Sequence, residues 1–345
     1  MGLKRKITFI VVLLLLVLYL GNCRLVSYGI EQGIGQVRIV RNARNINEMM
    51  KDSAVSDSIK QKLRLVDEIK KFAIDSLGLN PSKNYNTFYD QQGEPILWIA
   101  VGCKPYKMEP YLWKFPVVGK VPYKGFFKKS KAIEEAKKIE KEGFDARVGT
   151  VSAWSTLGFF KDPILSDMLD QSEGQIARLI IHELTHSTIY VKGNAQFSEN
   201  LATFIGDEGS KYYMLSKYGK NAKEYLEYLG ELNDNDKFSN HILIGARQLD
   251  SLYKTFGPEM AENQKKELKN SFILKIMKDL DTINFYIPTK FPKLQDPKFL
   301  PNNAFFISYI TYNTEQDNLT KDFINKFNSD FKKYLNFLKK TYESV

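Results

Sequence analysis

Ile180-Ile181-His182-Glu183-Leu184-Thr185-His186 is the stretch that decides how this chain is organised. Upstream, Ser172 and Gln175 stand in the S-x-x-Q relation of a capping box, which predicts that a helix starts near Glu173. The apolar face of that helix is formed by Ile176, Leu179 and Ile180. A face of this kind buries the helix, so the stretch is expected on a buried helix rather than in a surface loop.

The two histidines of this stretch are four residues apart, so their imidazoles project from the same side of the helix. Such a pair can hold one zinc ion at about 2.0–2.1 Å and leave room for a third ligand and a water. Glu183 lies beside the first ligand and can accept a proton from a zinc-activated water. The chain has only three histidines. The alternative is that the two histidines and the glutamate are solvent-exposed and bind nothing. The apolar residues before His182 disfavour it, because they predict a buried helix.

A third protein ligand is needed, and few residue types remain for it. Cysteine ligation is excluded because only Cys23 and Cys103 exist. His241 is isolated between polar neighbours, which is typical of a surface residue. A carboxylate is the natural choice, since two histidines and one glutamate form a known catalytic zinc set.

Glu199 is the preferred carboxylate. The segment Phe197 to Phe204 predicts the start of a second helix, after a short loop marked by Gly193 and Asn194. Two antiparallel helices joined in this way can turn Glu199 and the two imidazoles towards one point.

Asp207 and Glu208 lie further along the same helix and compete for a role at the site. Either could hold a ligand imidazole through its second nitrogen, or both could be surface acids near the helix end.

Catalysis on a carbonyl also needs a donor for the developing oxyanion. Tyr309 and Tyr312 are candidates, and further ones are Tyr190, Tyr212 and Tyr213. Among 19 tyrosines each is more often a packing residue. The predicted strand 146–154, extended to Gly158, could instead bind an extended peptide through its backbone.

The N-terminus predicts export. Lys4, Arg5 and Lys6 precede the apolar run Ile7 to Leu20, which is short for a bilayer span but suits a signal peptide. The following Leu20-Gly21-Asn22-Cys23 looks like a lipoprotein processing site, although Asn22 replaces the usual small residue. Cys23 is therefore expected to carry lipid and to tether the protein to a membrane in the periplasm or cell envelope. An uncleaved anchor or plain secretion are the alternatives. Cys103 is then left as a buried free thiol.

The basic excess does not indicate nucleic-acid binding. The net charge is +10, but the densest lysine stretch, 124–141, interleaves its lysines with Glu134, Glu135 and Glu140. No recognition motif or stacking-aromatic pattern accompanies the charge.

The chain of 345 residues is long enough for one large domain or two tightly joined ones. Residues 1–23 form the signal, 24–55 a connecting segment, and 56–345 the main domain. That domain is predicted to be α+β, with a mixed α/β part (56–171) and a helical part (172–345).

Individual elements follow from apolar periodicity. We predict the following elements: a helix from Ser56 closed by Gly78 and Pro81, a strand at 96–101, two short strands about Gly119, a helix at 130–142 and a strand at 146–154. A stripe of core side chains is predicted on the last helix: Phe323, Phe327, Phe331, Tyr334 and Leu338.

The chain resembles the bacterial putative aminopeptidase family, a group of zincin-type metallopeptidases that are often lipoproteins. The matching segments are 106–113, 116–119, 121–127, 155–160, 162–166, His182 to His186, 197–199 and 302–304. The resemblance implies a zincin-like fold and a zinc peptidase with Glu199 at the third-ligand position. Two departures are Ser198 in place of a common asparagine, and Lys114 and Lys120 where members often carry cysteines, so a disulfide there is absent.

The expected function is hydrolysis of peptide or protein substrates by zinc-activated water. One alternative is a catalytically inactive zinc-binding envelope scaffold, and another is a zinc hydrolase acting on other substrates. The aminopeptidase label is less secure than the metallopeptidase one, because nothing selects among Glu109, Asp162 and Glu208 as an anchor for a substrate α-ammonium group.

Overall fold

The computed structural model describes residues 23–115, 119–150, 162–191, 194–291, 300–313 and 316–342. Within these ranges the protein is a mixed α+β structure that is mostly helical. The helices are α1 (Cys23–Asn42), α2 (Ile46–Lys51), α3 (Asp57–Phe72), α4 (Lys129–Lys141), α5 (Glu173–His186), α6 (Ala195–Tyr218), α7 (Lys223–Tyr253), α8 (Glu262–Asp279), α9 (Asn303–Asn313), α10 (Gln316–Phe327) and α11 (Phe331–Thr341). In the described ranges, no helix combines the length and apolar character that crossing a bilayer requires.

In the described part of the chain, eight short strands form three small sheets. The strands are β1 (Arg44–Asn45), β2 (Thr87–Tyr89), β3 (Trp98–Cys103), β4 (Trp113–Phe115), β5 (Gly119–Val121), β6 (Tyr123–Phe126), β7 (Asp145–Thr150) and β8 (Ile164–Leu165). One of these sheets is antiparallel with the strand order β6-β3-β7. In it, Val101 of β3 pairs with Tyr123 of β6 and with Arg147 of β7. The strand predicted at 96–101 is thus present as β3, which begins and ends two residues later. Of the predicted strand at 146–154, the part beyond residue 150 lies outside the described residues.

The first predicted helix is confirmed at both ends. Ser56 caps α3 by accepting a hydrogen bond from the Ile59 amide. After α3 the chain makes one wider π turn, Ala73–Leu77, and stops at Gly78 with φ of 90°. A positive φ costs glycine little, which is why the helix ends there.

The polar segment expected to connect the signal to the domain contains a helix. Residues Cys23–Asn42 form α1, and the side chain of Ile39 is buried in the main core. That core also contains Ile69, Ile181 and Leu335, so the α/β part and the helical part share one hydrophobic interior. Cys103 is fully buried and unpaired, as predicted, and burial raises the pKa of its thiol to about 12.

The C-terminal aromatic stripe packs in the core as predicted, but its placement on one helix was wrong. The helical conformation is interrupted between α10 and α11 by a turn at Asn328 and Ser329, whose φ values are 50° and 58°. Asp330 then caps α11 by accepting from the Lys333 amide. The spacing of Phe323, Phe327 and Phe331 is four residues throughout, so the sequence period does not reveal the turn between the last two.

Candidate metal centre

Two consecutive helices position the predicted site. Ser172 caps α5 by accepting from the Gln175 amide, and Ile180 and Ile181 are fully buried beneath the motif. Asn194 caps α6 by accepting from the Phe197 amide at 3.1 Å. The Ser172 cap and the start of the second helix are therefore found where the sequence predicts them.

Gly206 allows α5 and α6 to approach closely. A methyl group at this position would lie 3.0 Å from the Arg178 carbonyl oxygen and 3.2 Å from Cβ of His182. The backbone oxygen cannot move aside as a flexible side chain could, so the distance between the helices depends on this glycine. That distance sets how far Glu199 on α6 lies from His182 on α5.

We expect Gly206→Val to destabilise the fold by about 1–3 kcal/mol, because overpacking forces the two helices apart. Thermal unfolding measures the loss. Gly33→Val is the matched control, since nothing lies within 4 Å of the added Cβ there. Equal melting temperatures for the two variants would contradict the close packing.

The structure brings His182, His186 and Glu199 together as a group that could hold a metal ion. Their three facing atoms form a triangle: Nε2 to Nε2 of the histidines is 3.2 Å, and Oε2 of Glu199 lies 3.7 Å from His182 and 3.6 Å from His186. A circle through these atoms has a radius of about 2.0 Å, which fits zinc–nitrogen and zinc–oxygen bonds of about 2.0–2.2 Å. The donor set and its spacing thus fit one zinc ion.

The three side chains of the trio are also coupled electrostatically. Burial raises the pKa of Glu199, but the imidazoles of His182 and His186 outweigh it and hold that pKa well below its usual value. Burial lowers the pKa of His186, yet its contact with Glu199 and the charge of Glu183 give a net rise. The site therefore holds an ionised carboxylate against two imidazoles in a largely desolvated position. The side chains of His182 and Glu199 keep 16% and 17% exposure, so the trio is not fully sealed from solvent.

Glu183 adds a second buried carboxyl beside the trio. Its side chain follows His182 on α5, the residue is 6% exposed, and Oε2 has no hydrogen-bond partner among the described residues. Nδ1 of His186 is likewise buried without a partner there. An unpartnered buried carboxylate oxygen is costly to keep and is typical of a functional position.

The two acids considered as supports for the imidazoles are engaged elsewhere. Asp207 accepts a hydrogen bond from Nε of Arg178, and Glu208 pairs with Lys211 at 2.6 Å. His241 lies outside the metal-binding group and its Nε2 contacts the Ile276 carbonyl at 2.7 Å.

Of the predicted oxyanion donors, Tyr309, Tyr212 and Tyr213 make their contacts away from the trio. Tyr309 packs on Phe238 and Phe305, while Tyr213 donates to Glu68. The exposed Tyr212 stacks on Phe331. The side chain of Tyr312 lies outside the described residues, as does the segment 151–158 that was considered for backbone binding of a peptide.

Two other tyrosines neighbour the site. The ring of Tyr190 lies 6.4 Å from that of His186, and burial and the charge of Glu199 raise the pKa of Tyr190. Tyr123 on β6 was not singled out from the sequence. Burial is the main cause of the raised pKa of the Tyr123 hydroxyl, and the charges of Glu199 and Glu183 raise that pKa further. Its only sequence signal was its place in the segment 121–127, which carried the family resemblance without suggesting any chemistry.

Comparison with known proteins gives one relationship. No curated protein matches the chain, and no solved structure matches it either. The family described as "Putative aminopeptidase" matches over residues 27–344, which includes α5, α6 and the whole trio. This match spans nearly the full chain, and the protein therefore belongs to that family of peptidases.

Proposed function

We propose that this protein is a zinc-dependent peptidase, and that it acts as an aminopeptidase. The observation that carries the proposal is the convergence of two imidazole nitrogens and one carboxylate oxygen around a single point beside the buried Glu183. The family relationship supports peptides as the substrate class.

Each residue has a distinct part in the proposed reaction. His182, His186 and Glu199 would hold the metal. A zinc ion held there would lower the pKa of a water to about 7 and polarise the scissile carbonyl. Glu183 accepts the proton of the attacking water and returns it to the leaving amine. Its unpartnered oxygen leaves it available for this transfer.

Metal removal tests the proposal directly. We expect the purified protein to contain zinc, to hydrolyse peptides, to lose activity on treatment with a chelator and to regain it on addition of zinc. The measurements are metal content by mass spectrometry and the rate of peptide cleavage. A chelated, metal-free protein with undiminished activity would refute the zinc mechanism.

The second candidate function is a zinc-binding envelope scaffold without catalysis. It predicts zinc without peptide hydrolysis. The position of Glu183 favours the peptidase, because a purely structural ion needs no proton acceptor beside its ligand, and structural sites usually close all four positions with protein ligands.

The end at which a peptide is cut depends on an anchor for its α-ammonium group. The three acids considered from the sequence are each engaged: Asp162 with Asn84, Glu109 with Lys104 and Lys107, and Glu208 with Lys211. Comparison of a free peptide with its N-acetylated form decides the matter. An aminopeptidase cleaves only the first, whereas an endopeptidase accepts both.

Burial raises the pKa of the Tyr123 hydroxyl, and the charges of Glu199 and Glu183 raise it further; on this ground we propose Tyr123 as the oxyanion donor. Tyr123→Phe is then expected to lower kcat by about 10²-fold, the lower end of the loss for one such donor, with zinc content unchanged. Tyr309→Phe is the control, because Tyr309 packs away from the trio among Phe238 and Phe305. Equal kcat values for the two variants would exclude the assignment.

We also propose that the protein works in the periplasm or cell envelope, tethered by lipid on Cys23. The basic segment, apolar run and cysteine at the N-terminus support this placement. Mass spectrometry of the N-terminal peptide tests it: a diacylglycerol adduct on Cys23 is expected, and an unmodified thiol on the membrane-extracted protein would contradict it.

A further inference from the structure

Helix α1 has one face packed against the domain. Tyr28 donates through its hydroxyl to the Gly125 carbonyl at 2.9 Å, and Gln32 donates to the same oxygen at 3.2 Å. Gln36 and Ile39 on this side are almost fully buried. Since Gly125 belongs to β6, this face of α1 packs against the sheet β6-β3-β7.

The opposite face of α1 carries apolar side chains that nothing in the described structure covers. They are between 43% and 60% exposed and comprise Ile30, Ile34, Val37 and Val40. Residues four and seven apart share one side of a helix, so Ile30, Ile34 and Val37 form a continuous stripe. We name these four residues the α1 stripe. A helix packed on one side and apolar on the other has two faces to bury, and only one is buried here.

The position of α1 in the chain indicates what covers the stripe. Two residues separate the apolar run Ile7 to Leu20 from Cys23, the first residue of α1. Cys23 precedes Ile30 by seven residues, so its position on the helix lies in line with the stripe. A membrane-held N-terminus, through lipid on Cys23 or through the apolar run, therefore brings this face of α1 to the bilayer.

The charges of α1 complement an anionic surface. The helix carries Arg24, Arg38 and Arg41 against the single acid Glu31. Arg41 follows Ile34 by seven residues and is exposed on the same side as the stripe. Apolar residues flanked by arginines are the pattern of a helix that lies in the plane of a membrane interface.

We propose that the α1 stripe lies on the surface of a lipid bilayer rich in anionic headgroups and thereby orients the domain against the membrane. The inference rests on the envelope placement proposed above and is independent of the zinc chemistry. A protein free in solution would fail both this inference and that placement, whereas loss of zinc or activity would leave both unaffected.

Nitroxide labels test the inference in the full chain, reconstituted in vesicles of phosphatidylethanolamine and phosphatidylglycerol. The background is Cys23→Ser with Cys103→Ser, which removes both native thiols and retains the apolar run. One label is placed by Ile34→Cys in the stripe. The matched control is Ile244→Cys on α7, because Ile34 and Ile244 are helical isoleucines with similar exposure, 58% and 51%. Collision rates with oxygen and with a water-soluble nickel complex report lipid and water contact.

We expect the label at 34 to collide with the nickel complex about tenfold less often than the label at 244 and to favour oxygen, as a side chain in the interface does. Replacing phosphatidylglycerol with phosphatidylcholine is expected to reduce this difference. Equal nickel collision rates at the two positions would overturn the inference. Spin–spin broadening between labels at 34 would also overturn it, since a second copy would then cover the stripe. Far-UV circular dichroism of the same samples shows whether the mostly helical domain is intact.

Discussion

Glu183→Gln is expected to leave zinc bound and to lower kcat/KM for peptide hydrolysis by about 10²–10⁴-fold, the range for loss of one general base. The glutamine side chain has the shape of glutamate but cannot accept the proton of the attacking water. Because Oε2 of Glu183 has no partner in the described structure, the substitution breaks no hydrogen bond of that atom. The fold and the trio of His182, His186 and Glu199 should therefore persist.

The measurements are steady-state kinetics on a chromogenic peptide and zinc content of the same preparation. Glu208→Gln is the matched control, because Glu208 lies on the neighbouring helix α6 and pairs with Lys211. That variant should retain activity near wild type. Unchanged kcat/KM in Glu183→Gln would remove Glu183 from the mechanism while leaving the metal site in place.

Glu199→Ala is expected to lose most of the bound zinc and, with it, peptide hydrolysis. Two imidazoles alone do not make a stable catalytic zinc site, which needs three protein ligands and a water. Removal of the carboxylate also leaves the buried pair of Nε2 atoms, 3.2 Å apart, without the negative charge that faces them. Both effects act in the same direction.

Zinc titration in the presence of a competing chelator measures this loss. The control is His241→Ala, which removes the third histidine of the chain at a position outside the metal-binding group. It should bind zinc as the wild type does. Full zinc occupancy in Glu199→Ala, or loss of zinc in His241→Ala, would show that the third ligand is not Glu199.

Much of the site could be predicted because its information is local. The four-residue spacing of His182 and His186 fixes their relative direction as soon as the segment is helical. Ser172 caps the first helix and is readable from neighbouring residues alone. Glu199 needed one further step, the expectation of two antiparallel helices, and the structure places it against both imidazoles.

Predictions that depended on distant packing were less complete. The stripe from Phe323 to Leu338 looked like one helix because its four-residue spacing continues across the break at Asn328 and Ser329. The break has a local signal in the turn-forming run Asn328-Ser329-Asp330, but the continuing aromatic spacing favoured one helix. Likewise, the sequence predicted a connecting segment where α1 lies. Only the contacts of α1 with Gly125 and with the core show that one of its faces is packed.

The sequence by itself determined that α5 is a buried helix with His182 and His186 on one side and the carboxyl of Glu183 next to them, because helix periodicity and capping act over a few residues. Only the tertiary structure decided which other side chains share that site. Tyr123 comes from a strand about sixty residues before the motif and meets the charges of Glu183 and Glu199 only after the sheet and helices pack. Gly206 acquires its importance in the same way, since its missing side chain matters only where α6 crosses the backbone of α5.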